Sequence, residues 1–554
     1  MKRLAFVLIW GLLGLAENVW GADIKGLQQP ILGGELSNSA ATSVADIDEV
    51  MPRMAALGLN TVLVPAYWEF IEPQEGQFDF TLVDRVIDRA RDNQLKVIFL
   101  WFGAWKNSMS CYAPLWFKQD TKRFPRAMTS SGKPLEIASC FSDNVLQADL
   151  KAFTALMQHL AEKDKATGTV VMMQIENEIG MLEDARDHSP LAEKAYGQPV
   201  PAELLKAVKL NKKGAWAEVF GTDDYADEKF MAYHYAKYVE VLARRAREIY
   251  DMPLYVNAAM NSRGRKPGEY PSAGPLAHLA EIWQCGAPSI DILAPDIYDT
   301  GFKSWAARYA MPQRPQDGGK VQNRLFIPES RCCENSGVRA LYAFGEHQAV
   351  GFSPFAIDQA SNRETQSVTK AYSLIRQILH VKDVNSKLSW GLLFDQEDKE
   401  RIIEDGDVVI TARHNFTLPW DPRATDGSAW PEGGAMLLRI AKHEYLLAGS
   451  GVVAEFKTKS EKQQEQQKVL GEDGFVDAGG SKSGSNGIAT HKEGGKTQWR
   501  GKRIGIGAVD EVFIDETGHF RFLRRENGDQ DHQGRHARIS VGDWKILHIR
   551  LYEY

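Results

Sequence analysis

The segment Gln174-Ile175-Glu176-Asn177-Glu178-Ile179-Gly180 ends an apolar run, Thr169 to Ile175, with an amide and two carboxylates. A second apolar run, Leu325 to Pro328, ends in Glu329-Ser330. A charge set directly beyond a buried strand is uncommon unless the chain uses it. Two opposed carboxyl groups suit cleavage of a glycosidic bond: one stays protonated for the leaving oxygen, and the other stays ionised to attack the anomeric carbon. A gap of about 5 to 5.5 Å between them goes with retention of configuration. Strand alternation gives Glu176 and Glu178 one direction and Asn177 the other, so pattern alone leaves the choice of glutamate open. Taken singly, the Asn-Glu pair also reads as a solvated loop edge, and Glu329 as a partner for Arg331.

Such an arrangement needs a frame that brings remote strand ends together. Ile31 to Leu36, Thr61 to Tyr67, Leu95 to Phe102 and Thr169 to Ile175 are short apolar runs, followed by Leu254 to Ala259, Ile290 to Tyr298, Leu325 to Pro328 and Val350 to Ile357. Between them lie stretches of helical period: Val44 to Leu57, Leu82 to Asn93, Leu146 to Lys163 and Asp227 to Tyr250. Eight buried strands alternating with helices predict an α/β fold, a closed (β/α)₈ TIM barrel over residues 22–380, whose mouth collects the strand C-termini. Glu178 after strand four and Glu329 after strand seven then face one substrate. Leu182 to Asp224, rich in charge and proline, reads as an excursion over that mouth.

Other mouth residues are placed by the same frame. Trp105, Lys106 and Asn107 come directly after strand three, where an aromatic face beside polar donors suits a pyranose ring. Tyr298 ends strand six, and its phenol can hydrogen-bond the Glu329 carboxylate and help keep it ionised. Glu35 follows Gly33-Gly34 on strand one and is a candidate acceptor for sugar hydroxyls, although the pair of glycines also reads as a tight exit from the strand.

After a last helical stretch, Gln366 to Val381, the texture changes to alternation, as in Val408 to Arg413, Ala435 to Ile440 and Tyr445 to Ala448. Residues 381–554 therefore read as a β-rich, sandwich-like accessory domain, interrupted by a polar surface insertion at about 457–496. At the other end, Lys2 and Arg3 precede an apolar run from Leu4 to Ala16 and small residues at Gly21-Ala22. That pattern is a secretory signal over residues 1–21, too short to span a bilayer, so a periplasmic or secreted protein without a membrane partner is expected. A net charge of −7 argues against nucleic acid, which would demand basic surface. Five irregularly spaced cysteines form neither a disulfide framework nor a zinc motif and read as structural. Oligomeric state is not legible in the sequence.

The two glutamate segments, with Tyr67-Trp68-Glu69-Phe70-Ile71-Glu72-Pro73 and the subsequent Gly76, Phe78, Asp79 and Phe80, resemble glycoside hydrolase family 35 β-galactosidases. The resemblance spans most of the chain and includes the C-terminal β domain. It implies a retaining exo-β-galactosidase acting on oligo- or polysaccharides, such as plant cell-wall xyloglucan, without cofactor or metal. It also implies Glu178 as acid/base, Glu329 as nucleophile and Asn177 on the sugar 2-hydroxyl. One departure is plain: where the family carries an Ala-Glu-Trp segment after strand three, this chain reads Gly103-Ala104-Trp105, with Ala104 in place of the galactose-holding glutamate. A β-glucosidase or β-mannosidase of the same clan is the alternative that this departure raises. A catalytically silent sugar binder is disfavoured by the presence of both glutamates. A metal-dependent hydrolase is disfavoured because no His-x-His pair follows an early strand, and His532 and His536 lie in the C-terminal region.

Overall fold

The computed structural model describes residues 24, 27–260, 264–311, 322–381, 388–465, 501–526 and 536–554. The proposed signal at 1–21, most of the expected insertion and His532 lie outside these residues. Lys457 and Thr458, expected to open the insertion, instead close a strand at Val452–Thr458, and Lys459–Glu465 is helical. That strand pairs residue by residue with Val408–His414, which holds its end in the sheet.

Eight parallel strands form the first half of the molecule: β1 (Ile31–Glu35), β2 (Thr61–Tyr67), β3 (Lys96–Phe102), β4 (Val170–Gln174), β5 (Leu254–Ala259), β6 (Ile292–Ile297), β7 (Phe326–Ile327 and Glu329–Ser330) and β8 (Gly351–Phe352). Neighbours pair in sequence order from β1 to β6. Pro328, which has no N–H to donate, divides β7. Phe326 and Ile327 pair with β8, Glu329 and Ser330 pair with β6, and β8 pairs with β1. The two ends of the sheet are thus the two halves of one strand, and the ring closes as a TIM barrel.

The strands are buried on both faces because helices cover the outside, which explains their unbroken apolar character. The helix Val44–Ala56 is capped by Ser43, which accepts from the Asp46 N–H, and runs through Pro52. The helix Asn362–Leu379 starts on a capping box of Ser361 and Glu364. The segment expected to overhang the mouth forms three short helices, Pro190–Tyr196, Ala202–Ala207 and Trp216–Phe220. Trp216 packs its ring against Phe230, Tyr233 and His234 of the helix Asp224–Ile249, so apolar burial anchors the excursion to the barrel wall.

The C-terminal region is a two-sheet sandwich. A six-stranded antiparallel sheet runs in the order Ser389–Phe394, Gly433–Ala441, Glu444–Ser450, Lys545–Glu553, Ile504–Ile514 and Phe520–Arg525. A four-stranded sheet contains Glu400–Asp405, Val408–His414, Val452–Thr458 and His536–Ile539. Alternation assigns the faces. Leu392, Leu437, Leu447 and Leu547 meet Ile410, Ala454 and Ile539 between the sheets. Leu393, Met436, Leu438, Leu446 and Ile546, one residue out of phase, join the barrel's core instead. The sheet is docked on the helix Ser336–His347, where a Cβ on Gly337 would lie 2.8 Å from the Trp544 ring. All five cysteines are free, and no described helix is long and apolar enough to cross a membrane.

Candidate active site

Four barrel strands bring carboxyl groups to the C-terminal mouth: Glu35 from β1, Glu178 from the loop after β4, Asp296 from β6 and Glu329 from β7. Oxygens of Glu178, Asp296 and Glu329 lie within 4.8 Å of one another, and all three residues are buried. Three carboxylates at that spacing could share a cation. The donors that surround them are instead those of a site that handles protons and anions.

The Glu329 carboxylate is held by three of these donors. Tyr298 Oη donates to Oε2 at 2.8 Å, and Asn257 Nδ2 and Asn177 Nδ2 donate to Oε1 at 3.2 and 3.4 Å. The expected Tyr298 contact is therefore present, and burial and then the Glu329 charge hold its phenol far above the usual range. Arg331 pairs its backbone with Phe355, and the contacts of Glu329 are with the amides and the phenol.

Glu178 has a different environment. Asn107 Nδ2 donates to its Oε2, and Lys106 Nζ donates to Asn107 Oδ1. Burial pushes its carboxyl up to about 7, the Glu329 charge adds to the rise, and Lys106 opposes it. One acid thus retains its proton near neutrality while its neighbour is surrounded by donors. This is the split that acid/base and nucleophile roles demand. Lys106 and Asn107 belong to the site as expected, with the Lys106 ammonium 5.1 Å from the Phe102 ring centre.

The backbone that sets these side chains is strained. Asn107, Ser108, Glu176 and Glu178 have φ of 50°, 63°, 58° and 47°, in the left-handed region that non-glycine residues seldom occupy. Cross-loop bonds hold them there: Ser108 N–H donates to Glu178 O at 3.0 Å, and Glu178 N–H donates to Asn257 Oδ1 at 3.0 Å. The regular strand has ended at Gln174, so alternation no longer governs the residues beyond it. The two glutamates therefore part. Glu176 turns behind the strand, accepts from Trp105 N–H at 2.8 Å and lies against Asp149, while Asn177 and Glu178 reach Glu329 and Asn107.

Trp105 is a correction. Its ring is fully buried and meets Tyr235 and Tyr238 edge-on at 5.7 and 4.8 Å, so it packs under the long outer helix and offers no face to a sugar. The left-handed turn at Asn107 and Ser108 carries the next residues into the mouth and leaves Trp105 on the core side. Glu35 is fully buried beside Glu329, and burial followed by the Glu329 charge raises its carboxyl well above the usual range. Neither of its oxygens has a hydrogen-bond partner in the protein. The loop from Tyr67 to Phe80 is structural: Glu72 accepts from Trp68 Nε1 at 2.9 Å and from Gly76 N–H at 2.7 Å, which fixes the turn.

Asn257 and Asp296 were not anticipated. Both stand inside apolar strands, Leu254–Ala259 and Ile292–Ile297, and point inward. The cue that singled out Glu329, a polar group beside a buried run, applies to them equally.

Residues 40–229 match the family model described as Beta-galactosidase, that of glycoside hydrolase family 42, and residues 368–538 match one described as Domain of unknown function (DUF5597). Each covers under half of the chain. The barrel match is thus to family 42, and the family 35 resemblance suggested by the motifs is not what the comparison returns. No curated protein matches. Similar solved structures include a β-galactosidase from the psychrophilic Marinomonas ef1, with TM-score 0.44, 14% identity and coverage of 62% of this chain and 59% of that one. The β-galactosidase from Bacillus circulans sp. alkalophilus gives 0.45, 15%, 64% and 57%. The cold-adapted β-galactosidase from Rahnella sp. R3 gives 0.43, 15%, 64% and 57%. The chain spans under two thirds of the length of each.

Proposed function

We propose that this chain is a retaining, exo-acting β-galactosidase that removes terminal non-reducing β-D-galactosyl residues from oligo- or polysaccharides. The observation that carries the reading is the pair Glu178 and Glu329, with carboxyl oxygens within 4.8 Å at the barrel mouth, Glu178 pushed up to about 7 and Glu329 held by a phenol and two amides. An inverting pair would stand roughly 6.5 to 9.5 Å apart to admit a water between them. The β-galactosidase family match over residues 40–229 supports the choice of sugar.

In this reading Glu178 protonates the glycosidic oxygen as Glu329 attacks the anomeric carbon. The aglycone departs and a covalent glycosyl-enzyme remains. Glu178, now ionised, takes a proton from water, which attacks the same carbon and expels Glu329 as a carboxylate. Tyr298, Asn257 and Asn177 receive that carboxylate. Asn177 also stands where it can hold the sugar 2-hydroxyl, and Glu35, Lys106 and Asn107 supply further polar contacts. Plant cell-wall side chains such as those of xyloglucan are the proposed natural substrates. Export from the cytoplasm, guided by residues 1–21, belongs to the same proposal.

A panel of aryl β-glycosides tests the reading. Turnover of the β-galactoside is expected, and turnover confined to the gluco or manno epimer would overturn the sugar assignment. The buried Ala104 is the reason for including those epimers. Glu329→Gly is expected to abolish hydrolysis. Glu178→Ala is expected to lose roughly 10² to 10⁴-fold on substrates with poor leaving groups, and azide should rescue it on activated ones as a β-galactosyl azide. Unchanged activity in both variants would remove the chemistry from these residues.

A further inference from the structure

Asp296 lies beside both carboxylates assigned above and is only 1% exposed. Its Oδ2 accepts from Asn257 Nδ2 at 2.8 Å, and its buried Oδ1 has no donor in the protein. What it meets in the pocket is acid, because oxygens of Asp296, Glu178 and Glu329 lie within 4.8 Å of one another. Buried carboxyl groups at that spacing repel one another as anions, so they are not all ionised together. An Asp296 anion would have only the Asn257 amide to offset its desolvation. Asn257 fixes which oxygen is which: its amide N–H₂ serves Asp296 Oδ2 and Glu329 Oε1, and its carbonyl is occupied by the Glu178 N–H.

We infer that Asp296 is a positioning residue for the reaction, one that keeps its own proton throughout and donates it as a hydrogen bond to Glu178. This rests on the reading of Glu178 as the acid/base. During the first step Glu178 passes its proton to the leaving oxygen and becomes a carboxylate inside a pocket that disfavours charge. The Asp296 O–H then stabilises that carboxylate, and Glu178 regains a proton from the attacking water. No proton leaves Asp296 at any stage.

The groups that face Asp296 are Glu35 from β1, Glu178, Tyr255 from β5, Tyr298, Tyr309 from the helix Phe302–Tyr309, and Glu329. None of these is a cation. The ammonium of Lys106 acts on Glu178 and Glu35. Burial first, then the charges of Glu329, Glu178 and Glu35, hold the Asp296 carboxyl well above the usual carboxylate range, in agreement with the geometry.

The test uses the whole protein with Asp296→Asn, whose amide still donates, and Asp296→Val, which does not. Infrared spectra of the resting protein at pH 7 should show a buried carboxylic-acid carbonyl band that Asp296→Asn diminishes. In the pH profile of kcat/KM for aryl β-galactosides, Asp296→Val should move the basic limb up by about one pH unit, a tenfold change in the Glu178 ionisation constant. With good leaving groups kcat and KM should fall together in that variant, because water attack is slowed. Asp296→Asn should restore both limb and rate. An undiminished infrared band in Asp296→Asn, or a basic limb in Asp296→Val that coincides with the wild type, would overturn the proposal. If Asp296→Val does not fold, the infrared comparison of wild type and Asp296→Asn still decides. Absence of turnover in the wild type would sink the functional reading alone, since the infrared band reports the proton without substrate.

Discussion

Replacing Tyr298 with Phe removes one oxygen from the shortest of three bonds to the nucleophile. The phenol lies 2.8 Å from Glu329 Oε2, whereas the two amides lie 3.2 and 3.4 Å from Oε1 and share that single oxygen. Loss of Tyr298 therefore leaves Oε2 with no remaining donor among the described contacts of Glu329. A hydrogen bond to a charged group contributes about 1.5 to 3 kcal/mol, which corresponds to roughly 10- to 150-fold in rate if it is lost only at the transition state. The loss should not be uniform over the cycle. Before attack the carboxylate is stabilised by the same bond, so ground state and transition state both suffer and kcat/KM falls by less. In the second step the carboxylate re-forms as leaving group, and the full deficit appears there.

The expected result for Tyr298→Phe on a dinitrophenyl β-galactoside is therefore a fall in kcat of about 10- to 100-fold with a parallel fall in KM. A pre-steady-state burst should report accumulated glycosyl-enzyme. Folding should be little affected, because Tyr298 is 39% exposed and its ring meets Phe355 edge-on at 6.4 Å. A kcat within threefold of the wild type, with KM unchanged, would show that the phenol is not needed to hold the nucleophile.

The same geometry sets two further outcomes. The acid form of Glu178 is the one that starts the reaction, and its carboxyl is pushed up to about 7, so kcat/KM should hold its value below that pH and fall about tenfold per unit above it; a profile flat to pH 9 would contradict the assignment. Gly103→Ala would place a Cβ 2.2 Å from Trp101 Nε1 and 2.7 Å from Glu176 Oε1, and should cost about 1 to 3 kcal/mol in denaturant unfolding through overpacking of a closed layer; unchanged stability would mean that this layer can relax.

The barrel was legible because each strand is buried on both faces and reads as an apolar run; β2 and β5 have the expected bounds. The later strands were less so. Pro328 splits β7, and β8 is only Gly351–Phe352, because backbone pairing rather than apolar content decides where a strand stops. Within the site, Glu178, Glu329, Tyr298, Lys106, Asn107 and Glu35 were recoverable from their positions at strand ends. Trp105 was misplaced because a residue's position after a strand does not state which way its ring turns. Neither could alternation foresee the left-handed conformations at Glu176 and Glu178, which send adjacent acids to different sides. Asp296 and Asn257 were passed over as interior positions of strands whose ends attracted the attention.

The absence of a glutamate at position 104 has a structural cause. Ala104 is fully buried, and the next backbone N–H, that of Trp105, donates to Glu176 at 2.8 Å. Asp149 accepts from Trp101 Nε1 at 2.8 Å and from Tyr238 Oη at 2.7 Å, so the volume behind β3 is filled by an acid pair and its donors. Burial raises both members of that pair. A third acid at position 104 would join this pair in a buried space and raise the desolvation cost further. A pocket-facing carboxyl must then come from elsewhere on the ring. Glu35 on β1 stands beside Glu329 with both oxygens unpartnered in the protein, a buried acid that a polyhydroxylated ligand would satisfy. In the proposed reading, Glu35 on β1 then takes the part that a glutamate at position 104 has in the family the motifs resemble.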